Sequence, residues 1–388
     1  LSIDQNIWFT GGKVSLSSSL DFMKQLGSGG SRQFMSVPIA LQLTQPIFGV
    51  NNLKWNRRIE PVRYEEAKAA FITATETVTM NAITYFFNLL SAKETLGTAR
   101  QNQVNADRLY EVAGAKRKMG QISENELLQL KLAALKARAA VTDAESNLNA
   151  HMFRLRSFLA IGNDLILEPV VPESAPNLKM EYNQVLNKAL ERNSFAHNIR
   201  RRQLEAEYEV ATARGNLRSV DLFANVGYTG LNKDLSPAYH NLLDNQVVEV
   251  GVKIPILDWG KRRGKVRVAK SNRDVTLSKI KKEQMDFDQD IFLLVEHFNN
   301  QAQQLSIANE ADKIAQQRYK TSVETFLIGK INTLDLNDAQ NSKDDARQKH
   351  INELYWYWYY YYQLRSLTLW DFQNNTPLEA DFEDIVKK

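Results

Sequence analysis

The sequence predicts a mixed, mainly α-helical fold in which one unit, two strands followed by a long helical hairpin, occurs twice. Three observations predict it. Shifting the first half by about 209 residues places Pro46 on Pro255, Ile47 on Ile256, Leu96 on Leu305, Ala99 on Ala308, and Leu155-Arg156-Ser157 on Leu364-Arg365-Ser366, with no insertion needed. Short stretches alternate apolar and polar residues with the period of a half-buried strand. Between them, apolar or alanine residues recur at alternating spacings of three and four, a heptad seam.

In chain order, residues 1–48 read as strands: KVSLSSSLDF, a flexible LGSGGS loop, and VPIALQLTQP, in which Val37, Ile39, Leu41 and Leu43 share one face. Residues 49–160 form a helical hairpin with its tip at Gly120, its seam running through positions 64, 67, 71, 74 and 78 towards 99. Pro61 is placed in the first helical turn, where its missing N–H costs nothing. Residues 161–182 are an irregular linker and 183–217 a helix. Residues 218–256 repeat the strands, as SVDLFANVGYTGL, a loop of about 14 residues, and QVVEVGVKIP with Val248, Val250, Val252 and Ile254 on one face. Pro46 and Pro255 end the returning strands, since proline cannot extend a ladder. Residues 257–369 form the second hairpin, with its tip at Gly329, and 370–388 a tail. The helix at 183–217 has no counterpart before residue 1, so a further helix is expected there.

At 1.5 Å per residue, about 65 residues from strand end to tip span roughly 100 Å. Both tips follow one pattern, Tyr110 to Gly120 and Tyr319 to Gly329. Glycine accepts the positive φ that ends a helix, and Asn332 or Thr333 starts the next one.

A net charge of +4 is too small to argue for nucleic acid. The absence of cysteine removes disulfides and thiolate metal sites. No run approaches the 18 apolar residues of a membrane-spanning helix. The strands, at about 10–13 residues, have the length of membrane-crossing strands. Four cannot close a barrel, and an open edge in lipid leaves backbone groups unpaired. Strands in a membrane therefore require several chains in one barrel. From pattern alone, a water-soluble β tip on a coiled-coil stalk or adhesin-like scaffold stands equally open.

The stretch VGVKIPILDWGKRRGKVRVAK after a strand, the Tyr-x9-Gly tip followed by Asp335, Asp338, Ala339 and Gln340, and the twofold strand–strand–helix–helix order resemble the TolC-like outer membrane efflux proteins of Gram-negative bacteria. The resemblance covers nearly the whole chain. It implies a homotrimer whose chains each give four strands to one 12-stranded barrel in outer-membrane lipid. The helical hairpins then form an α-barrel in the periplasm. Such a protein is a passive exit duct for efflux or type I secretion, joined through a periplasmic adaptor to an inner-membrane pump.

The resemblance also suggests sites. Asp335 and Asp338 would face the tunnel axis at its periplasmic mouth, giving two carboxylate rings that favour cations; as plain helix-start acids they would only favour the helix dipole. The first copy has Glu126 and Gln129 at these places, and Ile331 stands where the family often carries a latching arginine. Lys118, Met119, Gly120, Gln121, Ile328, Gly329, Lys330 and Ile331 form the adaptor-docking tips. Phe22, Phe34, Phe48, Phe223, Tyr228 and Trp259 are the membrane-girdle candidates.

The aromatic run Tyr355–Tyr362 lies too far from the strands for a girdle and is expected to pack against the irregular middle segment. Gly260 to Val266 imitates a phosphate loop with the wrong spacing, so nucleotide binding is not expected, and its basic cluster marks the membrane interface instead. Histidines 151, 197, 240, 297 and 350 are scattered. No cofactor, metal site or catalytic constellation is expected.

Overall fold

The computed structural model describes residues 1–24, 32–162, 165–171, 176, 178–218, 220–240, 242–253, 258–380 and 382. The strands β1 (Ser2–Asn6), β2 (Lys13–Lys24) and β3 (Arg32–Pro46) lead into the helices α1 (Asn52–Lys118) and α2 (Glu124–Leu159). Next come α3 (Tyr182–Arg192), α4 (Ser194–Leu217), β4 (Asp221–Asn232), the short α5 (Leu235–His240) and β5 (Leu242–Lys253). The second hairpin is α6 (Lys261–Leu327) and α7 (Thr333–Thr368), followed by a two-residue ladder of β6 (Trp370–Asp371) and β7 (Thr376–Pro377).

The duplication is visible in the backbone. α1 and α6 have 67 residues each, and α2 and α7 have 36 each. All four pairs of helix ends differ by the 209-residue shift read from the side chains. Both second helices end on a left-handed residue, Ala160 at φ 52° and Leu369 at φ 49°.

Several boundaries differ from the sequence expectation. Pro61 lies more than two turns inside α1, not in its first turn, because the helix already starts at Asn52. The helix expected over 183–217 is broken at Asn193, whose extended backbone (φ −69°, ψ 145°) separates α3 from α4 and whose side-chain amide donates to the Leu367 carbonyl at 2.7 Å. The loop of about 14 residues is shorter, since it holds α5 and β5 begins at Leu242. The LGSGGS loop and Ile254, Pro255 and Ile256 lie outside the described residues.

The chain divides into two compact units, Leu1–Ala67 with Ser194–Asp286, and Lys68–Asn193 with Phe287–Lys388. In the first, β1–β2–β3–β4–β5 form one antiparallel sheet in that order. The four expected strands are β2 to β5, with the five-residue β1 added along the lower half of β2. A one-residue bulge in β3 between Ser36 and Ile39 accommodates Pro38, which cannot donate to a ladder. Charge pairs join the helices of this unit: Arg201 of α4 donates to Glu66 of α1 at 2.6 Å and Arg202 to Glu283 of α6 at 2.5 Å, while Arg201 also reaches Glu205 on its own helix at 2.8 Å.

The second unit is held by a series of apolar clusters. One gathers Val185 and Ala189 of α3, Ile291, Leu294, Val295 and Phe298 of α6, and Tyr357, Tyr361 and Leu364 of α7. A second joins Phe87, Leu90 and Leu354, and a third Leu96, Ala99 and Ala144. The aromatic run belongs to the first two clusters. The Tyr357 hydroxyl donates to the Pro176 carbonyl of the linker, and the Tyr361 hydroxyl to Asp371 at 2.7 Å. Burial pushes the Tyr357 phenol up to about 12. Arg347 ties α7 to both long helices, through Glu94 at 2.6 Å and Asp312 at 3.2 Å. The α1 seam is only partly internal: Leu89, Ala92, Leu96 and Ala99 are buried, while Phe71 and Val78 are exposed.

Two tests follow from this packing. Phe298 is fully buried among Tyr357, Tyr361 and Val295, so Phe298→Ala should cost about 3–5 kcal/mol, read as a lowered thermal midpoint. The carboxyl of Glu66 is held below its ordinary value, chiefly by the hydrogen bonds from Arg201. A depressed folded-state value gives stability that is present above the ordinary carboxylate range and lost as pH falls through it. Glu66→Gln should therefore lower the melting temperature at neutral pH, and the gap from the native protein should close in acid. A gap that does not change with pH would rule out this ion pair as its source.

Candidate functional site

The sheet presents two chemically different faces. Ladder partners in an antiparallel sheet point to the same side. One set of rows reads Leu16–Leu41–Val226–Val248, Val14–Leu43–Ala224–Val250 and Leu222–Val252. The alternate set reads Ser15–Gln42–Asn225–Glu249 and Ser17–Ala40–Gly227. The apolar rows face outward without cover: Leu41 is 49% exposed, Val248 63% and Val250 74%. No helix of the described chain is long and apolar enough to cross a membrane, so the apolar surface of membrane-crossing length lies on the strands.

The girdle candidates fall into place unevenly. Phe22 and Phe34 are ladder partners with ring centroids 5.0 Å apart, at one end of the apolar face. Tyr228 lies opposite Ile39 on that face. Phe48 and Trp259 follow the other ends of the strands and are exposed. Phe223 points to the polar side instead. It is partnered with Thr44 and Gly251, and its ring fills the space a Cβ on Gly251 would take, 2.3 Å from Cζ. The reason is strand parity: Phe223 alternates with Leu222 and Ala224. Two further aromatics escaped the sequence reading, Trp8 and Phe9, both about two-thirds exposed in the loop after β1.

The two tips in the other unit share one backbone solution. Gly120 has φ 73° and Gly329 φ 77°. The N–H of Gly120 donates to the Arg117 carbonyl and that of Gln121 to Lys116, while Gly329 and Lys330 repeat both bonds to Phe326 and Thr325. This paired closure satisfies the last helical carbonyls. The next helices start differently. Ser123 and Glu126 form a reciprocal capping box, whereas the Asn332 side chain accepts from the N–H groups of Leu334 and Asp335. Beneath the tips, Leu109, Ala113, Leu130, Tyr319, Leu336 and Ala339 form one cluster joining both hairpins. A cavity of about 650 Å³ between the tips is lined by Lys116, Gln121, Ile328, Gly329, Lys330, Ile331 and Asp335, among others. Met119 is exposed and Lys118 ends α1.

Asp335 and Asp338 are both exposed on α7, next to the buried stripe of Thr333, Leu336 and Ala339. Their surroundings differ. Asp338 is ion-paired with Arg318 of α6, which also donates to Ser342 at 3.1 Å. Asp335 has no ion pair among the described residues. Their first-copy counterparts are engaged: the Glu126 carboxylate accepts from the Ser123 N–H at 2.8 Å, which holds it below its ordinary value, and the Gln129 carbonyl accepts from the Thr333 hydroxyl at 3.3 Å. Arg318 was missed in the sequence. Folding the hairpin at Gly329 would have found it, because residues nearly equidistant from the turn come together.

An outward apolar strand surface and a pair of capped helical tips define a membrane channel component, not a soluble scaffold. The family model described as outer membrane efflux protein matches residues 11–160 and 185–368, and the chain belongs to that family. Among solved structures, that of the CusC channel superposes with a TM-score of 0.72 at 16% identity, over 92% of this chain and 83% of that one. The Campylobacter jejuni CmeC outer membrane channel gives 0.69 at 18%, over 98% and 81%. The Vibrio cholerae outer membrane protein VceC gives 0.69 at 14%, over 92% and 86%. No curated protein matches the sequence. The protein is an outer-membrane exit duct for efflux, with its helices extending into the periplasm.

The tip geometry is open to a direct test. A Cβ at Gly329 would meet nothing within 4 Å, so Gly329→Ala should cost only its left-handed backbone, about 1–2 kcal/mol. Hydrogen exchange at the Lys330 amide should accelerate roughly 5- to 30-fold. Unchanged exchange there would show that the closure does not depend on the glycine.

Proposed function

We propose that three copies of this chain close one 12-stranded barrel, each giving β2 to β5, and that the duct works as a passive trimer. The observation that carries this reading is the sheet itself, an apolar face on strands of membrane-crossing length whose outer members still have an open edge. Unpaired backbone in hydrocarbon costs several kcal/mol per group, and a neighbouring copy removes that cost. The helices support the same reading. Val268 and Val275, Ile307 and Ile314, and Leu128 and Leu135 are pairs seven residues apart, each residue more than half exposed. Heptad-spaced apolar residues with no cover fit the seam of a helical barrel formed between chains.

In this assembly the tips dock on a periplasmic adaptor, which connects the duct to an inner-membrane pump. Lys118 to Gln121 and Ile328 to Ile331 supply the docking surface. Asp335 and Asp338 form two carboxylate rings at the periplasmic mouth, where they attract cations and bind divalent ions in the closed pore. The Arg318 pair offsets part of the Asp338 charge, so Asp335 dominates the field.

Planar-bilayer conductance tests the duct and its gate together. The native protein should form channels blocked by divalent cations from the periplasmic side. Asp335→Asn should weaken that block more than Asp338→Asn, and the double variant most of all. Block of equal strength in the double variant would remove both residues from the gate. A failure to conduct under any condition, or a monomer in detergent, would sink the trimeric duct.

A further inference from the structure

We propose that the junction between the sheet and the first turns of α1 is a binding site for the phosphate headgroup of an anionic phospholipid. This rests on the outer-membrane reading and adds to it a specific lipid class and specific residues. A cavity of about 570 Å³ lies there, walled on one side by Trp8 and Phe9 and on the other by Lys54, Arg57 and Arg58. The two aromatic rings sit edge to face at 5.8 Å. The Arg58 guanidinium lies 4.8 Å from the centroid of the Trp55 ring, which fixes its direction. All three cations are exposed, and none has a carboxylate partner among the described residues.

The helix start is not the source of attraction. Asn51 already accepts the Lys54 N–H at 3.0 Å, while its amide donates to the Trp8 carbonyl at 2.7 Å. That second bond holds the aromatic loop against the cationic turn. What remains open is a ring of unpaired side-chain charge beside an apolar shelf. The site follows the strand ends at which the apolar rows stop, at Leu43, Leu222 and Val252. An occupant here needs an anion at one end and hydrocarbon at the other. A phospholipid has both, and clustered Lys and Arg side chains at a membrane surface attract anionic headgroups.

The second repeat carries the same chemistry independently. The 209-residue shift brings Arg263 and Arg267 to the positions of Lys54 and Arg58. Ahead of them stands Trp259, 92% exposed and left-handed at φ 53°. Asp258 fixes this turn by accepting from the Gly260 N–H at 3.1 Å and the Arg262 N–H at 3.0 Å. A bulky residue rarely adopts that backbone, and here it leaves an indole facing solvent. Arg262 is paired with Asp258 at 3.6 Å, whereas Lys261, Arg263 and Arg267 have no carboxylate partner among the described residues. The basic run after Gly260 thus has the same character as the first-copy site.

The test uses the full-length protein reconstituted in nanodiscs of equal phosphatidylcholine and phosphatidylglycerol, with retained lipid counted after detergent exchange. The native protein should keep phosphatidylglycerol several-fold over phosphatidylcholine, and high salt should reduce the preference. The variant Lys54→Gln, Arg57→Gln, Arg58→Gln should bring the ratio close to one-half or less of the native value with single-channel conductance unchanged. Trp8→Ala, which keeps every charge, should also lower it. An unchanged ratio in both variants overturns the proposal. Displacement of the lipid by inorganic phosphate would assign the site to the free anion and overturn it equally. Lipid retention is counted without conductance, so a protein that binds the lipid but never conducts would contradict the duct and leave this site standing.

Discussion

Backbone hydrogen bonding in hydrocarbon is the constraint on which the rest depends. A strand carrying Leu41 or Val250 towards lipid must pair its own N–H and C=O groups with another strand, because no water is there to do so. Within the chain, β3 and β4 meet this condition on both sides. The outer strands do not. β1 pairs along β2 only from Lys13 to Ser17, leaving the stretch from Leu20 to Lys24 with β3 alone. The polar rows of Ser15, Gln42, Asn225 and Glu249 would be expensive in lipid and cheap around water. Face chemistry and open edges therefore both favour the proposed closed ring, with its polar rows turned to water.

The helical hairpins meet a related constraint in water. Their buried clusters alternate with exposed apolar positions at heptad spacing, such as Val268 and Val275. The chain has more seam than it can cover by itself. Charged residues stitch the covered parts together: Arg347 reaches two helices at once, and its partner Asp312 is almost wholly buried. Breaking such a pair leaves an isolated buried charge, which is far costlier than the pair is worth. The network fixes which hairpin faces meet, and the uncovered seam is the surface that the proposed trimer would bury.

Much of this was legible in the sequence because the repeat doubles every signal. The ends of α1, α2, α6 and α7 follow from the 209-residue shift and two tip glycines. The strands were found from alternation at Val37 to Leu43 and Val248 to Val252. What could not be read depends on contacts distant in sequence. The break at Asn193 is stabilised by the Leu367 carbonyl, 174 residues away. Pro61 gives a strong local start signal, yet the helix begins earlier, where Asn51 caps it by accepting the Lys54 N–H. Phe223 was assigned by residue type when parity, set by its ladder to Thr44 and Gly251, decides its face. Arg318 lies on α6 ahead of Gly329, and only the folding of the hairpin brings it to Asp338.

The two repeats have nearly identical backbones and different side chains, and that difference separates structure from function. At the first tip Glu126 is consumed by the capping box, so its charge serves the helix start. At the second tip Asn332 does the capping alone, which releases Asp335 from that duty. Gln129 spends its carbonyl on Thr333, while Asp338 pairs with Arg318. A helix start needs one acceptor at each tip, and both tips have it. The first tip's other helix-start carboxylate, Glu124, pairs with Arg117 at 3.1 Å, so Asp335 on α7 is the helix-start carboxylate left without an ion pair among the described residues.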